Sequence, residues 1–561
     1  MKKSEIKSLI QKYALQNAIK YDSTPNASSV MGKVIGAHPE LRQSARGIMP
    51  LIRAVLDDVD KMSAEVRLSK LRQIAPELIE ELHEKKVKEQ KLPALDVDGE
   101  VVMRIAPNPN GPPTLGNARG IIVNHEYARM YNGKFILRFD DTDPKVKKPM
   151  LEAYGWYLED CEWLGAKPDQ VVIASDRIDR YYVYAEQLIK MDKAYVCFCS
   201  QSEFKQLKDN KETCPHREQG VKTNIGHWRA MLSGKYDEKE AVLRIKTDVK
   251  HKDSALRDWV AFRIVKERHP RVGDKYAVWP MLDFESAIED HLLGITHIMR
   301  GKDLIDSEKR QKFIYGYLGW EYPKTSHWGR IKIHEIGKFS TSEIKKGIQN
   351  GIYAQWDDPR LPTVRALRRR GIQAEAIRNF MIKMSVTETD IAISMDTLYA
   401  ENRKIIDSST NRYFFVHTPV HLTIESAPST VAKAPLHPNI DRGFREILVD
   451  GEVLICQDDA TALSAGDRIR LKELYNIQIM DLKPLKARYI GDDLAKKGAD
   501  IIHWAPIDGV KIKVFAPDGV YEGVGEKGIK SELNNVVQFE RFGFVRIDSV
   551  NEVVVAYFAH K

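Results

Sequence analysis

Cysteine is scarce: five among 561 residues, too few for a disulfide framework and in keeping with a reducing compartment. Long apolar runs are missing as well. None approaches the roughly 20 residues that a membrane-spanning helix needs, so no membrane partner is expected. The N-terminal stretch MKKSEIKSLIQKYALQNAIKYD is charged and amphipathic, without the apolar core or small-residue cleavage site of a signal peptide, and a cytoplasmic location is expected. Neither a fixed-period repeat nor a low-complexity tract occurs. What remains is a globular composition, 43% hydrophobic and 30% charged, with a formal net charge of +8 that suits a polyanionic partner without requiring one. A chain of 561 residues exceeds what one core usually organises, so three or more domains are expected.

Four textures follow one another. Residues 1–95 read as a helical appendage, with apolar residues at three- and four-residue spacing in PLIRAVLDDVDKM and RLSKLRQIAPELIEELHEKK, before the charged run EKKVKEQKLP. Over 96–335, β-rich runs such as EVVMRIA and KFILRFD alternate with helical stretches such as PMLEAYGWYLEDCEWLG, the rhythm of a parallel α/β sheet. A section at about 194–275 interrupts that rhythm. Residues 336–408 return to helix, and 409–561 break into short alternating segments spaced by turns, such as VKIKVFA and EVVVAYFAH, which suit β-barrels.

Three of the five cysteines lie in the interrupting section. Cys197, Cys199, Cys214 and His216 form two close pairs separated by fourteen residues, a spacing open to a tetrahedral structural zinc site or to reduced thiols beside a solvated histidine. The stretch RIAPNPNGPPTLGNARG, 104–120, follows the strand EVVMRIA and opens a helix. A helix N-terminus after a parallel strand offers free N–H groups and a positive dipole end to phosphate, and Gly111 and Gly116 would let a nucleotide approach the backbone. These residues alone leave a plain structural turn open, the commoner reading of a strand, turn and helix with some glycine.

That stretch resembles the first signature of class I glutamyl-tRNA synthetases in their archaeal form. FILRFDDTDP (135–144), WPMLDFESAIEDHLLGITHIMRGKDL (279–304), KFSTSEI (338–344), WDDPRLPTVRALRRRGI (356–372), IIHWAP (501–506) and QFERFGFVRID (538–548) continue the likeness in family order, from about residue 98 to the end. The resemblance implies a multidomain α/β plus all-β fold. A Rossmann-like catalytic domain would carry the insert as an acceptor-binding region, followed by a helical stem-contact region and anticodon-binding β-barrels. It also implies ATP and Mg²⁺, activation of L-glutamate to the adenylate, and transfer to tRNA(Glu). The barrel-type C-terminus implies that tRNA(Gln) is charged too, with an amidotransferase as partner. A monomer is expected.

By this likeness Pro107, Gly116, Asn117 and Asp303 would surround ATP, and Thr114 and Asn117 would stand where relatives place a His-Ile-Gly-His sequence whose histidines are absent here. The second signature, usually Lys-Met-Ser-Lys-Ser, reads Lys338-Phe339-Ser340-Thr341-Ser342, with Lys338, Phe339 and Ser340 toward ATP and Lys345 or Lys346 replacing the missing lysine. Ser340 with Glu343 also makes a capping box, which leaves an ordinary helix start open. Arg104, Asn108, Asp140, Trp279 and Arg300 would hold the amino acid. Arg104 and Arg300 would share its two carboxylates, Asp140 its ammonium, and Trp279 would form a wall unless it is core. Arg365, Arg368, Arg369 and Arg370 are candidates for the tRNA stem or form a solvated helix face, and Arg412 and Gln538 match anticodon-reading positions of glutaminyl relatives. Two alternatives stand: a glutaminyl-tRNA synthetase, opposed by Arg300, whose burial opposite a neutral amide would leave it unpaired, and a tRNA-binding protein without catalysis.

Overall fold

The computed structural model describes residues 3–21, 25, 27–38, 40–41, 45–75, 78, 92–335, 340–493 and 500–561. The chain divides into two compact units, Met1–Lys91 and Leu92–Lys561. In the first, helices Lys3–Tyr21, Ala27–Ala37, Ala45–Asp60 and Ala64–Ile74 close over a core that includes Ile10, Leu15, Val34, Ile52 and Leu71. Most of the sequence expected to continue this helical pattern toward residue 95 lies outside the described residues.

In the second unit, strands β1 (Val102–Ile105), β2 (Lys134–Phe139) and β3 (Gln170–Ile173) are parallel, in the order β1-β2-β3. Their near-continuous apolar character fits a sheet covered on both faces. The helix Leu115–Met130 packs on β1 and β2 and on the helix Ala374–Lys383. The chain then leaves for an antiparallel insert, β4 (Ala194–Cys197), β5 (Val242–Ile245), β6 (Val260–Ile264) and β7 (Val278–Pro280), built on its own core around Trp228, Phe262 and Trp279. It returns through the helix Leu282–Leu292 to a second parallel pair, β8 (His297–Gly301) and β9 (Lys324–Trp328). The Thr296 amide donates to the Val102 carbonyl at 3.1 Å and sets β8 beside β1.

Beyond the helices of 341–406, two seven-stranded sheets follow. The chain enters the C-terminal sheet first, with Arg412–Tyr413 and Phe415–His417, builds the other sheet with residues 419–506, and returns to finish the first with 510–560. Arg370 fastens this region to the helices: its guanidinium donates to the Phe558 and Ala559 carbonyls at 2.9 and 2.6 Å and to the Tyr399 hydroxyl at 2.9 Å.

Candidate active site

A cleft of about 380 Å³ opens where β1 and β8 end. Seven of the expected residues line it: Arg104, Pro107, Gly116, Asn117, Asp140, Arg300 and Asp303. Asn108, Thr114, Trp279 and Ser340 are not among the lining residues. Trp279 belongs to the core of the insert, fully buried and stacked on His269 with ring centroids 5.1 Å apart. Leu282 and Ser286 line the cleft. These residues, with Asp290, recur every four positions on the helix Leu282–Leu292 and so share one face of it. That spacing is present in LDFESAIEDH (282–291).

Beneath the cleft lies a buried charge network. Arg104 donates to both carboxylate oxygens of Asp290, Nε to Oδ1 at 2.9 Å and Nη2 to Oδ2 at 2.8 Å. Arg138, wholly buried, donates to Asp140 through Nε at 2.6 Å and Nη2 at 3.1 Å, to Asp290 Oδ1 at 2.6 Å and to the Ser286 hydroxyl at 2.7 Å. Burial alone would raise the Asp290 pKa, yet the charges of Arg104 and then Arg138 hold it down to about 2. Glu285 lies 3.7 Å from Arg138 Nε with neither oxygen hydrogen-bonded; burial first, then the negative charge of Asp140, pushes its carboxyl far above the carboxylate range. Arg104 and Arg138 thus meet Asp290 and Asp140 directly in this network. Arg104, expected to share the substrate carboxylates with Arg300, is paired with Asp290 here.

Arg300 is different. It is only 6% exposed, and its hydrogen-bond partners are neutral: Gln311 Oε1 at 3.2 Å and the Tyr322 hydroxyl at 2.9 Å. Its Nε has no partner, and the nearest carboxylate, Glu308, stands 3.9 Å away. A buried guanidinium held by uncharged groups gains from an anionic partner. Asn108 secures the opposite side, donating to the Asp140 carbonyl at 2.9 Å while its own carbonyl oxygen has no partner.

The first-signature turn is fixed by its own cap. Thr114 is the N-cap of Leu115–Met130; its amide and hydroxyl donate to Asn117 Oδ1 at 3.0 and 2.9 Å, and its hydroxyl accepts from the Asn117 amide. The WDDPRLPTV segment clamps the turn from outside, with Leu115 N donating to the Pro362 carbonyl at 2.8 Å and Val364 N to the Pro113 carbonyl at 2.9 Å. Gly111 serves this packing rather than nucleotide approach: a Cβ there would fall 2.5 Å from Thr341 Cγ2 and 2.8 Å from Trp356. Gly116 lies open, with nothing nearer to a built Cβ than Thr114 Oγ at 3.6 Å, and it lines the cleft.

Of the second signature, Lys338 and Phe339 lie outside the described residues. Ser340 is exposed and caps the helix Thr341–Gln349, in a capping box in which the Ser340 amide donates to Glu343 Oε2 at 2.9 Å and the Glu343 amide to Ser340 Oγ at 3.2 Å.

In the insert, Cys197, Cys199, Cys214 and His216 come together, their ligand atoms all within 4.8 Å of one another. Cys214 Sγ is 3.5 Å from Cys197 Sγ, 3.4 Å from Cys199 Sγ and 3.4 Å from His216 Nδ1. A tetrahedral ion with bonds of about 2.3 Å to sulfur holds its sulfurs roughly 3.7 Å apart, so the set is arranged for one. The Cys197 thiol is drawn down to about 5 by the hydrogen bond from Cys214, against the opposing effect of burial.

The basic helix Val364–Arg369 is not a uniformly solvated face. Arg368 is exposed and lies over Trp163, and Arg365 pairs with Glu159 at 2.7 Å. Arg369 is held by Asp357 at 3.1 Å and Asp548 at 2.9 Å. Arg412 and Gln538 are direct partners across parallel strands; Arg412 is buried, bonded to Asp407 at 2.9 Å, and its Nη1 has no partner.

A parallel sheet interrupted by an antiparallel insert, a capped phosphate turn at its edge and two trailing β-sheets define a class I aminoacyl-tRNA synthetase. Residues 100–408 match the family described as tRNA synthetases class I (E and Q), catalytic domain. Residues 410–490 and 501–548 match two models of the corresponding anti-codon binding domain. The chain belongs to this family. Among its relatives are glutamate–tRNA ligases of Methanococcoides burtonii, 60% identical over 99% of both chains, of Methanothrix thermoacetophila, 58% identical over 99% of this chain and all of that protein, and of Pyrococcus furiosus, 48% identical over 99% and 100%. These matches extend through the N-terminal helical unit, which the sequence motifs did not reach. A solved glutamate tRNA ligase from Elizabethkingia meningosepticum aligns with a TM-score of 0.39 at 21% identity, covering 55% of this chain and 70% of that one.

Proposed function

We propose that the cleft binds ATP and L-glutamate, joins them as glutamyl adenylate with release of pyrophosphate, and passes the glutamyl group to the terminal ribose of tRNA(Glu). The observation that carries this reading is Arg300. Its buried guanidinium is bonded to neutral groups and favours an anionic partner, and glutamate supplies a carboxylate that the amide of glutamine does not. Bidentate pairing with Nη and the unpartnered Nε matches a carboxylate's geometry. Asp140, fixed by Arg138, faces the substrate ammonium. Ser286, Leu282 and Gln311 complete the amino-acid wall, while Asn108 and Arg104 hold the strand ends that frame it.

The attack of one anion on another requires alignment and charge neutralisation. The open backbone at Gly116 and the N-terminus of Leu115–Met130 take the phosphates, and Asn117 keeps that turn in register through its bonds to Thr114. Mg²⁺ bound together with ATP would neutralise charge on the phosphates that this turn receives. Lys338 would add a cation from the second signature. Zn²⁺ held by Cys197, Cys199, Cys214 and His216 has all four positions filled by protein, so its part is to fold the insert that receives the acceptor end. Arg368, Arg412 and Gln538 are the RNA contacts in this reading. Two β-sheet anticodon domains are compatible with tRNA(Gln) as a second substrate, whose product an amidotransferase would then correct.

Arg300→Ala tests the assignment. Removing one partner of a buried ion pair costs about 3–5 kcal/mol, so KM for glutamate should rise by roughly 100-fold or more while KM for ATP stays nearly unchanged. Equal effects on both substrates would remove Arg300 from the amino-acid site.

A further inference from the structure

Far from the cleft and from the Cys3His cluster, His417, Cys456 and Asp458 bring three metal-ligating atoms within 4.8 Å of one another. They come from opposite sides of a junction. His417 ends the strand Phe415–His417 of the C-terminal sheet; Cys456 ends Glu452–Cys456 of the other sheet, and Asp458 follows in the first turn of Gln457–Ala462. We infer that this corner binds a divalent transition metal of the zinc class, which fastens the two anticodon-domain sheets to each other.

Cys456 Sγ lies 3.5 Å from His417 Nε2 and 3.7 Å from Nδ1, so the sulfur faces the imidazole between its two nitrogens; a turn of the ring about its Cβ–Cγ bond would bring one nitrogen to a shared ion, because a tetrahedral zinc with bonds of about 2.3 Å to sulfur and 2.0–2.1 Å to nitrogen holds the thiolate and the bonded nitrogen roughly 3.5 Å apart. The backbone already joins the two sheets at this point, the Gln457 amide donating to the Thr418 carbonyl at 3.1 Å. Thr418 itself sits at φ +47°, a conformation costly for a β-branched residue, and its amide is tied to the Glu522 carbonyl at 3.0 Å. That corner fixes where His417 points. Val416, Cys456 and Ala505 pack together on the inner side.

The charges sort themselves as a metal site requires. The neighbouring cation, Arg541, is neutralised by Asp459 through two bonds of 2.8 and 2.9 Å, and Asp458 makes no ion pair among the described residues. A thiolate, an imidazole and a carboxylate form a donor set that favours zinc-like ions over Mg²⁺, so the magnesium that accompanies ATP does not compete. On binding, the metal takes the sulfur lone pair and the thiol proton leaves to solvent. Three protein ligands leave at least one position for water.

Metal counting on the full-length, reduced and chelator-stripped protein, titrated with cobalt(II), tests the inference. The wild type should take up two equivalents per chain, and C456S and H417Q one each, with loss of part of the thiolate-to-cobalt absorption. C214S should lose the other equivalent, so a failure of the Cys3His site is read separately. Wild type, C456S and H417Q binding equal numbers of ions would overturn the inference, as would a single wild-type equivalent abolished by C214S. H417Q alters a partly exposed side chain, which keeps the test valid if C456S does not fold.

Discussion

Asp160 opens the last turn of the helix Leu151–Trp163, with neither carboxylate oxygen hydrogen-bonded. Burial pushes its pKa up to about 7, with Arg365 and then Arg368 pulling the other way. In the unfolded chain the same group titrates near 4, so its protonated form is favoured by folding: that contribution is complete below about pH 4 and is lost as pH rises through about 7. Asp160→Asn should therefore match the wild type in stability near pH 4 and exceed it at pH 8 by roughly 2–4 kcal/mol, measured by urea unfolding at both values. A pH-independent difference would contradict this reading of Asp160. At this scale the sequence was read unevenly. Arg300 and Asp140 stood out because their motifs are long and charged. Arg104 was recognised, but its bidentate bond to Asp290, 186 residues away, has no local signal. Trp279 was placed at the cleft by likeness to relatives, and its packing on His269 in the insert core depends on contacts that the sequence does not show.

The secondary-structure elements that shape the site meet at the two signatures. Gly111 in the first turn packs on Thr341, the first residue of the second-signature helix, and on Trp356. Gly116 faces the cleft. The two glycines should separate in experiment. Gly111→Ala forces an overlap that costs about 1–3 kcal/mol and should lower the unfolding midpoint. Gly116→Ala has room in the protein and removes a flexible residue from a helix, which favours folding by about 0.5–1 kcal/mol, yet its methyl group stands where phosphate would approach and should raise KM for ATP. An unchanged ATP KM in Gly116→Ala would place the phosphates elsewhere. Capping at Ser340 and Glu343 was legible as a local pattern, as were strands such as VKIKVFA; their pairing was not. Arg412–Tyr413 lies parallel to Val536–Phe539, a contact decided by packing across more than 120 residues of sequence.

Over the whole molecule, the helical region of 341–406 is bound to the C-terminal sheets by Arg370, by Arg369 to Asp548, and by Phe544 and Ala559, which join the catalytic core. A basic run that looked like an RNA-facing stripe is thus half structural, leaving Arg368 exposed and Arg365 in a partly exposed ion pair. No described helix is long and apolar enough to cross a membrane. The order of domains was legible because each carries its own motif and periodicity, whereas the sheet-swapping path of 412–417 and the metal-ligand corner at the barrel junction depend on contacts between distant segments. The central claim is that Arg300 selects glutamate, and it is tested most directly by charging tRNA with labelled glutamate and, in parallel, labelled glutamine, with ATP and Mg²⁺ present. Incorporation of glutamate without glutamine is the predicted result; incorporation of glutamine, or of neither, would contradict it.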